Sequence, residues 1–185
     1  DSAAGMGTTM TVVLVGAHDV TIAHVGDSRA YLRRDGELVR LTRDHSLVEE
    51  LVEQGRLTPE EASRHPQRSV ITRSVGPESR VEVDTLTTSA RDGDVFLLCS
   101  DGLTTMVDEA EIARILDAAP SLEAAGRALI DAANAAGGRD NISVVLFRLE
   151  DVRRAGPPAM AEQPTRVAGG GGDPAAGAPG GEAAT

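Results

Sequence analysis

Three aspartates lie close to glycine where a β-rich segment begins or ends: Asp27, Asp101 and Asp140. A carboxylate beside glycine can approach a cation without steric obstruction. Two or three such carboxylates together form the hard oxygen site that Mg²⁺ and Mn²⁺ prefer. Taken singly, each of these residues is more often a turn residue, because Asp-Gly and Asp-Asn pairs favour turns. The spacing therefore leaves two interpretations open: three separate turns, or a shared metal site.

The segments next to two of these aspartates indicate how their carboxylates could meet. Asp101 follows the apolar run 95–99, and Asp140 precedes the β-branched segment 142–149. If these segments are antiparallel neighbours in a sheet, the chain leaves one strand at the same edge at which it enters the other. We therefore expect Asp101 and Asp140 to lie at the same edge.

Apolar and β-branched runs predict strands through much of the chain. The predicted strands cover residues 9–15, 20–25, 30–32, 38–41, 70–71, 81–86, 95–99 and 142–149. The turn-prone residues 16–19 predict a hairpin between the first two strands, and the first four strands are expected to run antiparallel in succession.

Capping residues and helical periodicity predict four helices. The first two begin after Ser46 and after a capping box at Thr58. The other two begin after Asp108 and Ser121, each of which is a favourable N-cap. Strands and helices are grouped rather than alternating, which predicts an α+β fold with antiparallel sheets.

Composition excludes several classes of protein. The 185 residues carry a formal net charge of −11, which argues against nucleic acid or an anionic membrane as the main partner. A single cysteine rules out an internal disulfide framework, and no apolar run approaches the ~20 residues of a membrane span. Without a signal peptide, the expected location is the cytoplasm.

Residues 155–185 are predicted to be a disordered tail or linker. Gly, Pro and Ala make up 22 of these 31 residues, so the segment has little apolar surface to bury. Residues 1–154 remain as one folded domain, long enough for a core of its own.

Other candidate chemistry has weaker support. The four histidines, His18, His24, His45 and His65, match no zinc-binding spacing, and His24 is expected to be structural. Cys99 lies in an apolar run and is expected to be a small buried hydrophobic residue.

Six short motifs follow one another in the same order as similar motifs in a known family. They are GMGTT (5–9), HVGDSRAY (24–31), LTRDHS (41–46), VITRSVG (70–76), LLCSDGL (97–103) and GRDNISVV (138–145). The series resembles the bacterial metal-dependent protein serine/threonine phosphatases of the 2C type.

The resemblance implies a β-sandwich of two antiparallel sheets flanked by helix pairs, with a metal cluster at one end. It implies that Asp101 and Asp140 are ligands of a two-metal Mn²⁺ or Mg²⁺ cluster, and that Asp27 holds a third, weaker metal together with Asp101. Residues 46–75 match a mobile flap beside the active site. The implied reaction is hydrolysis of phosphoserine and phosphothreonine by metal-activated water, in proteins phosphorylated by a serine/threonine kinase.

The chain also departs from the family. A phosphate-binding arginine, a further aspartate ligand and a candidate general acid belong to an earlier portion of the family's domain. None of them occurs here, because the chain begins at the GMGTT element. The chain also has no initiator methionine, which favours a truncated sequence. We expect residues 1–154 to be part of a catalytic domain whose N-terminal part is missing, and the protein to be a monomer. The alternative is a truncated, non-catalytic module that binds a partner.

Overall fold

The computed structural model describes residues 6–76 and 80–152, so the predicted tail at 155–185 lies outside the described residues. The described residues contain seven strands and five helices. In chain order these are β1 (Met10–Val15), β2 (Asp19–Val25), β3 (Arg29–Arg34), β4 (Glu37–Arg40), α1 (Leu47–Glu53), α2 (Pro59–Ser63), β5 (Asp84–Ser89), β6 (Val95–Cys99), α3 (Asp101–Thr104), α4 (Glu109–Ala118), α5 (Leu122–Ala135) and β7 (Val144–Arg148).

The strands form two antiparallel sheets, with the orders β1-β2-β5 and β4-β3-β6-β7. A core between the sheets joins β2 of one sheet to β3 and β6 of the other. Its buried residues are Val20, Ile22, Ala30, Leu32, Phe96 and Leu149. The predicted α+β class and the β-sandwich are confirmed.

A second core lies between the four-stranded sheet and the helix pair α4–α5. Side chains on a strand alternate between the two faces of its sheet. On β3, Ala30 and Leu32 therefore face the other sheet, whereas Tyr31 packs with the helices. On α4 and α5 the buried residues include Ile112 and Leu129. The central strands β3 and β6 are thus buried on both faces, and they give the loops at their ends a rigid support.

The chain passes from the first sheet to the second at Gly26, between β2 and β3. Gly26 has φ +113°, a conformation that side chains disfavour. A Cβ placed there would lie 2.4 Å from Thr9 Cγ2. The first four strands are therefore antiparallel in two pairs, β1–β2 and β3–β4, that belong to different sheets.

Two of the predicted strands are wrong: one is only an isolated bridge, and the other has the wrong bounds. In the segment 70–71, Ile71 forms only an isolated bridge with Ser46, because the chain turns into α1 directly after Ser46. The segment 81–86 is too early, since β5 begins at Asp84 and runs to Ser89. Asp84 pairs with His24 near the end of β2, and the chain then leaves the sheet at Gly26.

The predicted helix starts are confirmed by hydrogen bonds at their caps. Ser46, Asp108 and Ser121 each accept a backbone N–H from three residues further on, and Thr58 forms the capping box. The short helix α3 was not predicted, since Asp-Gly at its start favours a turn. None of the helices within the described ranges is long and apolar enough to cross a membrane.

Candidate metal centre

Asp101 and Asp140 lie at the same edge of the four-stranded sheet, as their spacing predicts. The strands β6 and β7 are antiparallel neighbours, and their last paired residues are Cys99 and Val144. Asp101 begins α3 directly beyond β6, and Asp140 lies in the loop that leads into β7. The two carboxylates are far apart in sequence and are brought together by one strand pairing.

Ser100 holds these two loops together. Its backbone N–H donates to the Ser143 carbonyl at 3.0 Å. Its hydroxyl donates to the Asn141 carbonyl at 3.0 Å and accepts the Ser143 N–H at 3.0 Å. Gly102 permits the close approach, because a Cβ there would lie 2.4 Å from the Asn141 oxygen. The relative position of Asp101 and Asp140 is therefore fixed by backbone contacts next to both residues.

A pocket of about 190 Å³ opens beside the two carboxylates. It combines acidic residues with basic ones, since Arg68 and Arg139 also line it. Arg68 and its neighbour Ser69 belong to the predicted flap at 46–75, which therefore reaches the pocket. Carboxylate oxygens are suitable ligands for a divalent cation, and guanidinium groups donate hydrogen bonds to a phosphate. The pocket is therefore lined by groups that suit both a cation and a phosphate.

Asp27 is electrostatically linked to this pair. Burial, and then the negative charges of Asp101 and Asp44, raise the pKa of Asp27 to about 6. Burial, and then the charge of Asp140, raise the pKa of Asp101. The charge of Asp101 thus repels that of Asp27, and the charge of Asp140 repels that of Asp101, so a bound cation would relieve the repulsion.

The donor set of this edge is chemically suited to Mn²⁺ or Mg²⁺, because carboxylate oxygens are the ligands these ions prefer. Within the described ranges, no group of three or more His, Cys, Asp or Glu side chains lies close enough to hold a metal ion. The pocket is lined by two of the predicted ligands, Asp101 and Asp140, while Asp27 lies outside its lining. Their role as metal ligands stays a prediction.

The other candidate residues have structural environments. Cys99 is 5% exposed, and burial raises the pKa of its thiol to about 12, which disfavours a nucleophilic role. His24 is buried between β-strand partners, with Nδ1 at 2.9 Å from Thr11 Oγ1 and Nε2 at 3.0 Å from the Gly26 oxygen. It is placed as expected for a structural histidine.

Sequence reasoning missed the pocket arginines. Arg139 lies within the motif GRDNISVV, directly before Asp140, so its position was a usable signal. Arg68 has no local signal, since only the path of the flap brings it to the pocket. His45 lies in the motif LTRDHS, and its ring contacts Gly26 and Asp84.

The sequence model of the family described as Protein phosphatase 2C matches residues 2–142, and the chain belongs to this family. It is similar to the serine/threonine phosphatase stp of Listeria monocytogenes, with 45% identity over 142 residues. That match covers 77% of this chain and 56% of the Listeria protein.

Solved structures are similar over the same part of the chain. The Mycobacterium tuberculosis serine/threonine phosphatase PstP/Ppp is 45% identical with a TM-score of 0.76, covering 79% of this chain and 61% of that one. The catalytic domain of PstP in complex with two manganese ions is 41% identical with a TM-score of 0.73, covering 80% and 60%. The chain therefore spans less than two thirds of the relatives it matches.

Proposed function

We propose that the chain is part of a metal-dependent protein phosphatase that hydrolyses phosphoserine and phosphothreonine. The observation that carries the proposal is the pocket in which Asp101 and Asp140 lie beside Arg68 and Arg139. The names of the relatives, all phosphatases, support the same activity. They support no function for the alternative, a non-catalytic module.

The metal ions would be Mn²⁺ or Mg²⁺, held by Asp101 and Asp140, with Asp27 and Asp101 serving a third, weaker site. Such ions supply charge neutralisation and a water that is nucleophilic at neutral pH. The solved relative with two manganese ions supports the first part of this assignment. The repulsion that adds to burial in raising the pKa values of Asp27 and Asp101 is of the kind that a bound cation relieves.

The residues of the chain position the reactants. Ser100 and Gly102 keep Asp101 close to the loop that carries Asp140. Arg68 and Arg139 donate hydrogen bonds to the phosphoryl oxygens, which are mostly ionised at neutral pH and therefore act as acceptors. In the reaction a water oxygen bonds to phosphorus as the ester P–O bond breaks; one proton of the water ends on the serine or threonine oxygen, which leaves as the hydroxyl, and the other stays with the phosphate.

The substrates would be phosphorylated proteins, made by a serine/threonine kinase, in the cytoplasm. We further infer that residues 1–154 are the later part of a catalytic domain with a flap at about 46–75, and that the protein acts as a monomer. The coverage of the solved relatives, about three fifths of their length, supports a partial domain.

The test measures Mn²⁺-dependent hydrolysis of an aryl phosphate by the protein that carries these 185 residues and whatever sequence precedes them in its gene. Asp101→Ala and Asp140→Ala should abolish the Mn²⁺-dependent rate. Asp92→Asn, at an exposed turn before β6, is the matched control and should leave it unchanged. If both alanine variants kept full activity, the assignment of the metal ligands would be wrong.

A further inference from the structure

His45 lies at the base of the flap, between β4 and α1, and is 4% exposed. Its side chain contacts two residues at the same end of the three-stranded sheet, where His24 of β2 pairs with Asp84 of β5. One is Gly26, the residue directly before Asp27. The other is Asp84 at the start of β5, which also binds the end of the flap.

The contacts with Gly26 fix the peptide that presents Asp27. The Gly26 N–H donates to His45 Nδ1 at 3.0 Å. The Gly26 carbonyl accepts the His45 backbone N–H at 2.7 Å, and His24 Nε2 lies 3.0 Å from the same oxygen. Both polar groups of Gly26 are therefore satisfied, and two of the three partners belong to His45.

The contacts with the flap involve the other ring nitrogen. His45 Nε2 lies 3.0 Å from Asp84 Oδ2, and Arg73 Nη1 donates to Asp84 Oδ1 at 2.7 Å. The Thr72 backbone N–H donates to the His45 carbonyl at 2.8 Å. Side chain and backbone of His45 thus both connect to the segment through which the flap returns.

These partners determine which nitrogen carries the ring hydrogen. Because Nδ1 accepts the Gly26 N–H, the hydrogen of a neutral ring is on Nε2, where it is donated to Asp84. Arg73 Nη1 is 2.9 Å from Nε2 but has Asp84 Oδ1 as its acceptor. Asp84 therefore orients the ring so that Nδ1 points its lone pair at Gly26.

We propose that His45 is a positioning residue that couples the flap to Asp27. Displacement of the flap acts on Arg73 and Asp84, and the His45 ring passes it to the Gly26 peptide. The flap residues Arg68 and Ser69, which line the pocket, are only a few positions before this connection. The coupling follows from these contacts and does not depend on a bound metal. Its relevance to catalysis rests on the proposed function, through Asp27 as a metal ligand.

The first experiment measures hydrogen exchange of the Gly26 amide by NMR, without metal, in the protein that carries these 185 residues and whatever sequence precedes them in its gene. Asp84→Asn should speed this exchange about tenfold, because the ring loses its orienting carboxylate and the bond to Gly26 weakens. In a His45→Asn background the amide oxygen can still accept from Gly26 but cannot reach Asp84. There, Asp84→Asn should have no further effect, so the two changes are not additive.

Matched controls separate this coupling from general destabilisation. Asp92→Asn removes a charge from an exposed turn, and His65→Asn changes a flap histidine whose Nδ1 accepts only a local N–H from Gln67. Neither should change Gly26 exchange. The proposal would be overturned if Asp84→Asn left Gly26 exchange unchanged, or if its effect were the same with and without His45.

A second experiment asks whether the coupling reaches the metal. Titration calorimetry with Mn²⁺, at a temperature where every variant is fully folded, should give several-fold weaker binding for Asp84→Asn and His45→Asn than for the unmodified protein. By reciprocity, Mn²⁺ should slow exchange of the amides at 70–73 in the unmodified chain and not in His45→Asn. If the unmodified chain bound no Mn²⁺, the proposed metal site would fail for this chain, while Gly26 exchange would still decide the coupling.

Discussion

Replacing Asp27 by asparagine should stabilise the metal-free protein at neutral pH. Burial, and then the charge of Asp101, raise the pKa of Asp27 from 3.8 to about 6. Between these pH values the native state keeps a proton that the unfolded state has released. Stability therefore falls as pH rises through this range and stays low above about pH 6.

The size of the effect follows from the shift. A difference of about 2 pH units corresponds to about 3 kcal/mol. Asp27 is only half-buried, so solvent screens its charge. We therefore expect roughly 1.5 kcal/mol, about half of the full value. Asparagine has a similar shape and no charge, and it should recover this free energy above about pH 6 but not below about pH 4.

Urea unfolding in the presence of a chelator, at about pH 4 and about pH 7.5, measures the difference. Asp92→Asn is the control, since it removes an exposed carboxylate that precedes β6, at the opposite end of this strand from Asp101. Asp27→Asn should be more stable than the unmodified protein only at the higher pH. Equal stability at both pH values, or a loss at the higher one, would refute the raised pKa of Asp27. Added Mn²⁺ should reverse the order, because it binds the ionised carboxylate.

Three further changes test the site. Ser100→Ala removes the hydroxyl bonds to Asn141 and Ser143, both exposed, and should cost about 1 kcal/mol in urea unfolding; unchanged stability would mean that these bonds do not hold the loops. Gly102→Ala places a Cβ 2.4 Å from the Asn141 oxygen and should weaken Mn²⁺ binding in calorimetry, whereas unaltered affinity would show that the loops can separate freely. Arg139→Gln should lower kcat/KM for a phosphothreonine peptide roughly tenfold, while Arg148→Gln, at an exposed position of β7, should leave it unchanged; equal effects of the two would argue against a phosphate contact at Arg139.

Sequence patterns were sufficient where the signal is local. The apolar run 95–99 coincides with β6, and Thr58 and Asp108 cap helices as their spacing predicts. The shared edge of Asp101 and Asp140 followed from one assumption, that the flanking strands are antiparallel neighbours, which the structure confirms.

The errors occur where tertiary contacts override local preference. Val81 and Val83 favour strand formation, yet β2 offers no partner beyond His24 because Gly26 turns the chain away. The position of Arg68 in the pocket depends on the path of the whole flap, and no periodic pattern records such a path. The role of Ser100 is equally hidden, since a hydroxyl between two loops is visible only after both loops are placed.

The pairing of β6 with β7 has a consequence for the order of folding. The three helices α3, α4 and α5 lie between these strands in the chain, so the pairing closes the long segment from Cys99 to Val144. Closure of such a segment costs entropy before its contacts repay it, and non-local pairing is slow for that reason. We therefore expect Asp101 and Asp140 to meet late in folding, when β7 docks on β6. A cation at this edge arrives at a nearly native chain, so it should slow unfolding while leaving the folding rate almost unchanged.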